Sequence, residues 1–148
     1  MSFLSSMNIS ASAMTAQRLR LDIASENIAN IDTTRTEAGG PYRRKMVVLE
    51  ARSENNFRRV LMNAAGLGPQ QSTGGVRVSQ IVEDTSPFKS VYSPEHPDAD
   101  ENGYVQMPNV DLIKETVDSM SATRSYEANI TAFNAVKTMA SKALEIGK

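Results

Sequence analysis

Residues 96–105, HPDADENGYV, place three carboxylates, an Asn and a Gly directly after the chain's only histidine. Asp98, Asp100, Asn102 and Gly103 match the first half of a calcium-loop pattern, where oxygen ligands alternate along the chain and Gly makes the sharp turn. Such a loop closes with a bidentate Glu at its twelfth position, which here is Asn109, preceded by Pro108. An Asn amide offers one neutral oxygen in place of two charged ones. The prolines of VYSPEHP also leave no helix leading into the loop. The competing reading is a turn. Asn102-Gly103 is a strong two-residue hairpin signal, because a type I′ turn needs positive φ at both positions. Asp98 and Asp100 suit turns through bonds from side chain to backbone. The residues favour the turn, and a small calcium-binding module using the 98–103 loop is the alternative.

Other chemistry finds little support. A structural or catalytic zinc needs three or four ligands, and the chain has no Cys and no second His. His96, between Glu95 and Pro97, reads as a hydrogen-bonded loop residue, without an apolar pocket to tune it for acid–base work. Gly66, Gly68, Gly74 and Gly75 lack the following Lys-Ser/Thr of a phosphate loop. Arg43-Arg44-Lys45 beside Tyr42 is a single basic triplet on a chain of net charge −1, which points to a solvated strand or protein contact rather than nucleic acid. We therefore expect no enzyme, no cofactor, no metal and no nucleic-acid partner.

The elements around these residues follow from periodicity. Met7, Met14, Leu21 and Ile28 recur every seven residues, with Phe3, Leu4, Ala11, Ala24 and Ile31 beside them. This predicts a helix over about 3–30 with a narrow apolar stripe, close to a coiled-coil seam. A second helix is predicted over about 110–146, with Asn109 as N-cap and Asp111 in the first turn. Its stripe is Ile113, Val117, Met120, Ile130, Phe133, Ala140 and Leu144, with Thr123, Arg124 and Lys137 at weaker positions. Both helices carry small and adaptable residues, as in SASAMTA and TMASKAL, where a solvated helix shows more charge. That composition predicts packing on several sides. Between them, Gly39-Gly40-Pro41 is a break, 42–51 and 75–84 read as strands, 86–93 as extended chain and 104–107 as a short strand. The stretch 51–75 reads as loop, with a short element near 57–62. The fold class is α+β: long N- and C-terminal helices forming a coiled-coil-like inner layer, with a small β-rich insert. The domains read as 1–35, 36–108 and 109–148.

Residues 1–82 carry ten Lys/Arg and six Asp/Glu, and residues 83–148 carry six and eleven. The asymmetry reads first as scattered solvated charge; the sharper alternative is a polar molecule that stacks on copies or relatives with opposite charges facing. The first residues lack the basic start and apolar run of a secretory signal, and no stretch approaches ~20 consecutive apolar residues.

SENIANIDTTRTEAGGPYRRKMVVLE, residues 25–50, resembles the N-terminal signature of the flagellar rod and hook axial protein family. In that signature a helix ends in Asn-x-x-Asn (here Asn27 and Asn30) and a Thr-rich segment follows. The run Gly40 to Lys45 is similar to the proximal-rod members of that family. So are Val91-Tyr92, His96-Pro97-Asp98-Ala99-Asp100, Gly103-Tyr104-Val105, Pro108-Asn109-Val110 and Tyr126-Glu127-Ala128-Asn129. Ser93 and Glu95 depart from the Asp and Gly of that pattern around Pro94, and 51–75 carries no diagnostic match. The resemblance implies a structural subunit of the bacterial flagellar basal-body proximal rod, in the cell envelope. It implies export by the flagellar type III apparatus and terminal helices that join a tubular, torque-bearing inner layer. The implied partners are other rod proteins, copies of itself, and neighbours at the basal-body base and distal rod. The expected assembly interface is Met7, Met14, Leu21, Asn27, Ile28, Asn30, Val117, Met120, Tyr126, Asn129, Ile130, Phe133 and Met139.

Overall fold

A computed structural model describes residues 3–37, 39–52, 61, 64–66 and 74–146. Helix α1 spans Phe3–Ala29 and is followed by strands β1 (Lys45–Ala51), β2 (Val76–Glu83), β3 (Lys89–Tyr92) and β4 (Tyr104–Met107). Helix α2 spans Leu112–Ile146 and, at 35 residues, is about 50 Å long. The molecule is α+β, with two small sheets inserted between two long helices. The element expected near 57–62 lies, apart from Leu61, outside the described residues.

Strands β1 and β2 form one ribbon. It is antiparallel, since Asp84 N–H bonds Arg44 C=O at one end and Arg52 N–H bonds Gly75 C=O at the other, both at 2.8 Å. Strands β3 and β4 form an antiparallel hairpin in the register Lys89↔Met107, Val91↔Val105 and Tyr92↔Tyr104. Val105 is buried and its neighbours Tyr104 and Gln106 are exposed, the period-two pattern of a strand with one covered face.

The chain divides into two compact units built from interleaved segments: Met1–Gln17, Leu49–Ser79 and Arg124–Lys148 in one, Arg18–Val48 and Gln80–Thr123 in the other. The first unit carries eight Lys and Arg against four Asp and Glu, net +4; the second carries eight against thirteen, net −5. Charge is thus segregated by unit.

In the basic unit, β2 begins against α1. The Ser12 hydroxyl donates to Ile9 C=O at 2.7 Å and accepts Val76 N–H at 3.1 Å. A Cβ on Gly75 would stand 2.8 Å from that hydroxyl oxygen, so glycine is what permits the approach. In the acidic unit, the buried apolar side chains among the described residues are Ile23, Ala24, Tyr42, Val105, Pro108, Val110 and Ala122, a thin set that includes two alanines. Asn27 and Glu115 are buried among them.

Two local expectations are corrected. The N-cap of α2 is Asp111, not Asn109: its Oδ1 accepts Ile113 N–H at 3.0 Å and its carbonyl accepts Glu115 N–H at 3.0 Å. Both residue types cap well, but Asn109 is spent elsewhere. The Asn102-Gly103 turn is also not type I′, since no described residue other than glycine has positive φ. Gly103 N–H bonds Asp100 C=O and Asp100 N–H bonds Tyr104 C=O, each at 2.8 Å. This is a three-residue loop with Gly103, at φ 78°, in the bulge position. Along α2, Thr116, Thr123, Thr131 and Thr138 each fold the hydroxyl back onto the carbonyl four residues earlier, at 2.7–3.0 Å.

Gly103 is doubly required, because a Cβ there would also come within 2.9 Å of the Tyr92 ring. Gly103→Ala is expected to lower stability by about 1–2 kcal/mol through the left-handed backbone alone. Urea unfolding followed by far-UV circular dichroism checks this.

Candidate functional site

The acidic unit is built around one amide. Asn27, two residues before the end of α1, is 1 % exposed. Its Nδ2 donates to Lys45 C=O and to Glu115 Oε2, each at 2.9 Å. Its Oδ1 accepts Lys45 N–H at 2.9 Å and the Tyr42 hydroxyl at 3.0 Å. A side-chain amide has the donor and acceptor geometry of a peptide group, so Asn27 acts on Lys45 as a neighbouring strand would. The first residue of β1 is thereby anchored to the end of α1.

Glu115 joins α2 to the same point. It is 2 % exposed and accepts Arg44 Nε at 2.5 Å through Oε1. The Arg44 guanidinium also reaches Asp118 at 3.2 Å and Asp84 at 3.7 Å, and Arg20 stands 3.9 Å from Asp118. The Arg44 backbone N–H donates to Asn109 Oδ1 at 2.8 Å, and Asn109 Nδ2 donates to the carbonyls of Asp84 and Ser86. Among the described residues, no buried side-chain N or O lacks a partner. Burial alone would push the Arg44 pKa down. The bond and charge of Glu115, then the charges of Asp118 and Asp84, outweigh it and hold the pKa above the ordinary value. Burial first, and then the Glu26, Glu115 and Glu83 charges, together push the Tyr42 phenol up to about 12. The Ser86 hydroxyl and N–H, and then the Arg44 charge, draw Asp84 below its usual value.

A cleft of about 250 Å³ lies over this network, lined by Asn27, Arg44, Met46 and Glu115 among others. Its charged walls already satisfy one another. The arrangement positions chain segments. The basic triplet is consumed in the same way: Arg43 stacks 4.3 Å from the Phe88 ring centroid, Arg44 serves Glu115, and Lys45 pairs with Glu26 at 2.5 Å.

The 96–105 segment is the expected turn. Asp98 is held by the Thr34 hydroxyl and the Arg35 guanidinium, and its N–H donates to His96 Nδ1 at 3.1 Å. The would-be closing ligand Asn109 has its amide committed to the ribbon. Among the described residues, no group of three or more His, Asp or Glu could hold a metal ion.

The sequence-predicted contact residues fall into three environments. Asn27 is buried in the network. Met7, Met14, Leu21, Ile28, Asn30, Tyr126, Asn129 and Phe133 are half-buried. Asn30 and Asn129 donate to the carbonyls of Glu26 and Ser125, each one turn back on its own helix. Val117, Met120, Ile130 and Met139 are exposed. In the acidic unit, α2 turns Glu115 and Ala122 inward, so Ile113, Val117 and Met120 face away from the core. Glu115 and Arg44 are not among the residues that sequence spacing singles out as site residues, because a Glu in the first turn of a helix is ordinary.

Two family models match this chain. "Flagella basal body rod protein" covers residues 7–35, and "Flagellar basal body rod FlgEFG protein C-terminal" covers 101–146. These are the segments that carry most of α1, all of α2 and β4. The chain is 56% identical to the flagellar basal-body rod protein FlgC of Bacillus subtilis, over 97% of each chain. It is 45% identical to the FlgC of Salmonella typhimurium over the whole of both chains. With the FlgC of Borreliella burgdorferi it shares 44% identity over 99% of this chain and 98% of the relative. The fold and these matches define a flagellar rod protein. More particularly, the chain belongs to the FlgC family of flagellar basal-body rod proteins, structural components of the basal body.

Glu115→Ala removes the nearest partner of the Arg44 guanidinium and one acceptor of Asn27 Nδ2, leaving Asp118 and Asp84 on Arg44, and should cost about 1–3 kcal/mol, read by urea unfolding of the full chain. The Tyr42 shift gives a pH signature. The unfolded phenol releases its proton near 10.0 and the folded one near 12. Above pH 10 the folded state therefore holds more protons, and stability falls as pH rises. Tyr42→Phe should remove that decline from the stability curve between pH 9 and 12. Asp84 acts oppositely: its contribution is complete above the ordinary carboxylate range and is lost as pH falls through the lowered folded value.

Proposed function

We propose that this chain builds the rod through its terminal helical segments, 1–35 and 109–148, with the β-rich middle, 36–108, outside a coiled-coil-like inner layer. The observation that carries this reading is the outward apolar surface of α2. Ile113 is 75 % exposed, Val117 59 % and Met120 53 % in the acidic unit, and Met139 and Leu144 are also exposed in the basic unit. Contiguous apolar surface left open on a helix marks a face that a neighbour covers. The half-buried Met7, Met14, Leu21 and Ile28 of α1 supply adaptable packing along the other terminal segment.

In this reading, subunits pack through different faces, so contacts repeat without closing on themselves and generate a tube. The partners are copies of the chain, other rod proteins, and neighbours at the basal-body base and distal rod. Torque passes through helices locked side by side, and the chain reaches its site through the flagellar type III apparatus. Asn27 contributes indirectly, by fixing where α1 ends and how β1 leaves it.

Val117→Asp and Ile130→Asp test the reading. Both sites are exposed, so far-UV circular dichroism of each purified variant should match the parent. Burying an unpaired carboxylate in a subunit contact costs several kcal/mol, so assembly and swimming should be lost in cells that still make the variant. Normal swimming of both variants would overturn the assignment of this face.

A further inference from the structure

We propose that the tip of the β3–β4 hairpin is a second docking surface, which seats on the basic unit of another copy of this chain. At the tip, Tyr92 is 65 % exposed and Tyr104 47 % exposed. Their rings meet edge to face with centroids 5.3 Å apart. An aromatic pair in that setting offers large, stiff contact area with polar handles at its edge. Beside it, Glu95, Asp100 and Glu101 are exposed and make no ion pair among the described residues. Asp98 is the exception, neutralised by Arg35.

The surface is held ready. The Thr34 and Arg35 side chains tie the loop to the body of the acidic unit through Asp98. The Gly103 bulge fixes the turn, and Ser93 N–H bonds Gly103 C=O at 2.9 Å. Little ordering remains to be done when a partner arrives, which favours binding.

Charge identifies the occupant. The tip belongs to the unit of net −5, and the other unit of the same chain carries +4. In that basic unit, Arg124 and Lys137 of α2 are exposed and make no ion pair among the described residues. An anionic aromatic tip on one copy and unpaired cations on the next are complementary in sign. The two surfaces differ, so the contact is head-to-tail and repeats from copy to copy. The inference rests on the rod reading, which brings copies together.

The test replaces Tyr92, and separately Glu101, with photoreactive benzoylphenylalanine in cells building flagella, followed by irradiation and isolation of basal bodies. The expected product is a two-copy adduct whose second attachment lies within residues 124–146. The paired substitution Glu95→Lys with Glu101→Lys should abolish swimming, and adding either Arg124→Glu or Lys137→Glu, which lie on different faces of α2, should restore it. Basal bodies that contain the chain but give no adduct, or an adduct elsewhere on the chain or to a different protein, overturn the docking surface alone. Basal bodies without the unsubstituted chain overturn the rod reading and this inference with it. Where neither probe is incorporated, the charge exchange decides: failure of both reciprocal reversals to restore swimming overturns the proposal.

Discussion

The acidic unit depends on a side-chain amide that completes a strand. A β-strand beginning beside a helix end leaves the N–H and C=O of its first residue to be satisfied. Asn27 meets both on Lys45 while holding the Tyr42 hydroxyl and the Glu115 carboxylate. An aspartate there could accept but not donate, and a leucine could do neither. From that point Arg44 extends the network to α2 and to the end of the ribbon. The apolar core around it is thin, so the register of helix and ribbon is defined by polar geometry more than by shape. Polar networks of this kind give one arrangement rather than many near-equivalent ones, provided every member is satisfied.

That division of labour suits a rod subunit. An apolar core large enough to define the fold alone would draw the helices' oily residues inward. Here Asn27, Glu115 and Arg44 occupy the inner positions, and Ile113, Val117 and Met120 are left on the outside of α2. The family assignment gives such a surface a setting, because the models that match this chain cover the helical ends and, of the middle, only residues 101–108.

The local elements were legible from residues 3–30, 110–146 and the two strand-like stretches, because apolar spacing and capping residues act over a few positions. Two readings failed for one physical reason, that local chemistry permits several outcomes and distant partners choose among them. Asn109 and Asp111 can both cap a helix, and the demand of Arg44, 65 residues away, takes Asn109. Asn-Gly can serve a type I′ turn or a bulged loop, and the position of Asp100 opposite Tyr104 selects the bulge. Arg43-Arg44-Lys45 reads locally as a solvated strand or protein contact, and its three separate anchors, Phe88, Glu115 and Glu26, are supplied by other segments. The Asn27–Glu115 bond joins residues 88 apart and left no local trace. The charge asymmetry was visible as a contrast between chain halves, but its true partition follows interleaved segments that only the fold reveals.

The back-folded threonines of α2 alter how its flank meets water. Thr116, Thr123, Thr131 and Thr138 are exposed, yet each hydroxyl already has a partner on its own helix. When a neighbour expels solvent from this side, those oxygens keep their bonds and the methyl groups meet the incoming surface. A flank that scores as hydrophilic letter by letter is therefore inexpensive to dehydrate, and wettability judged from composition understates its affinity for a dry contact.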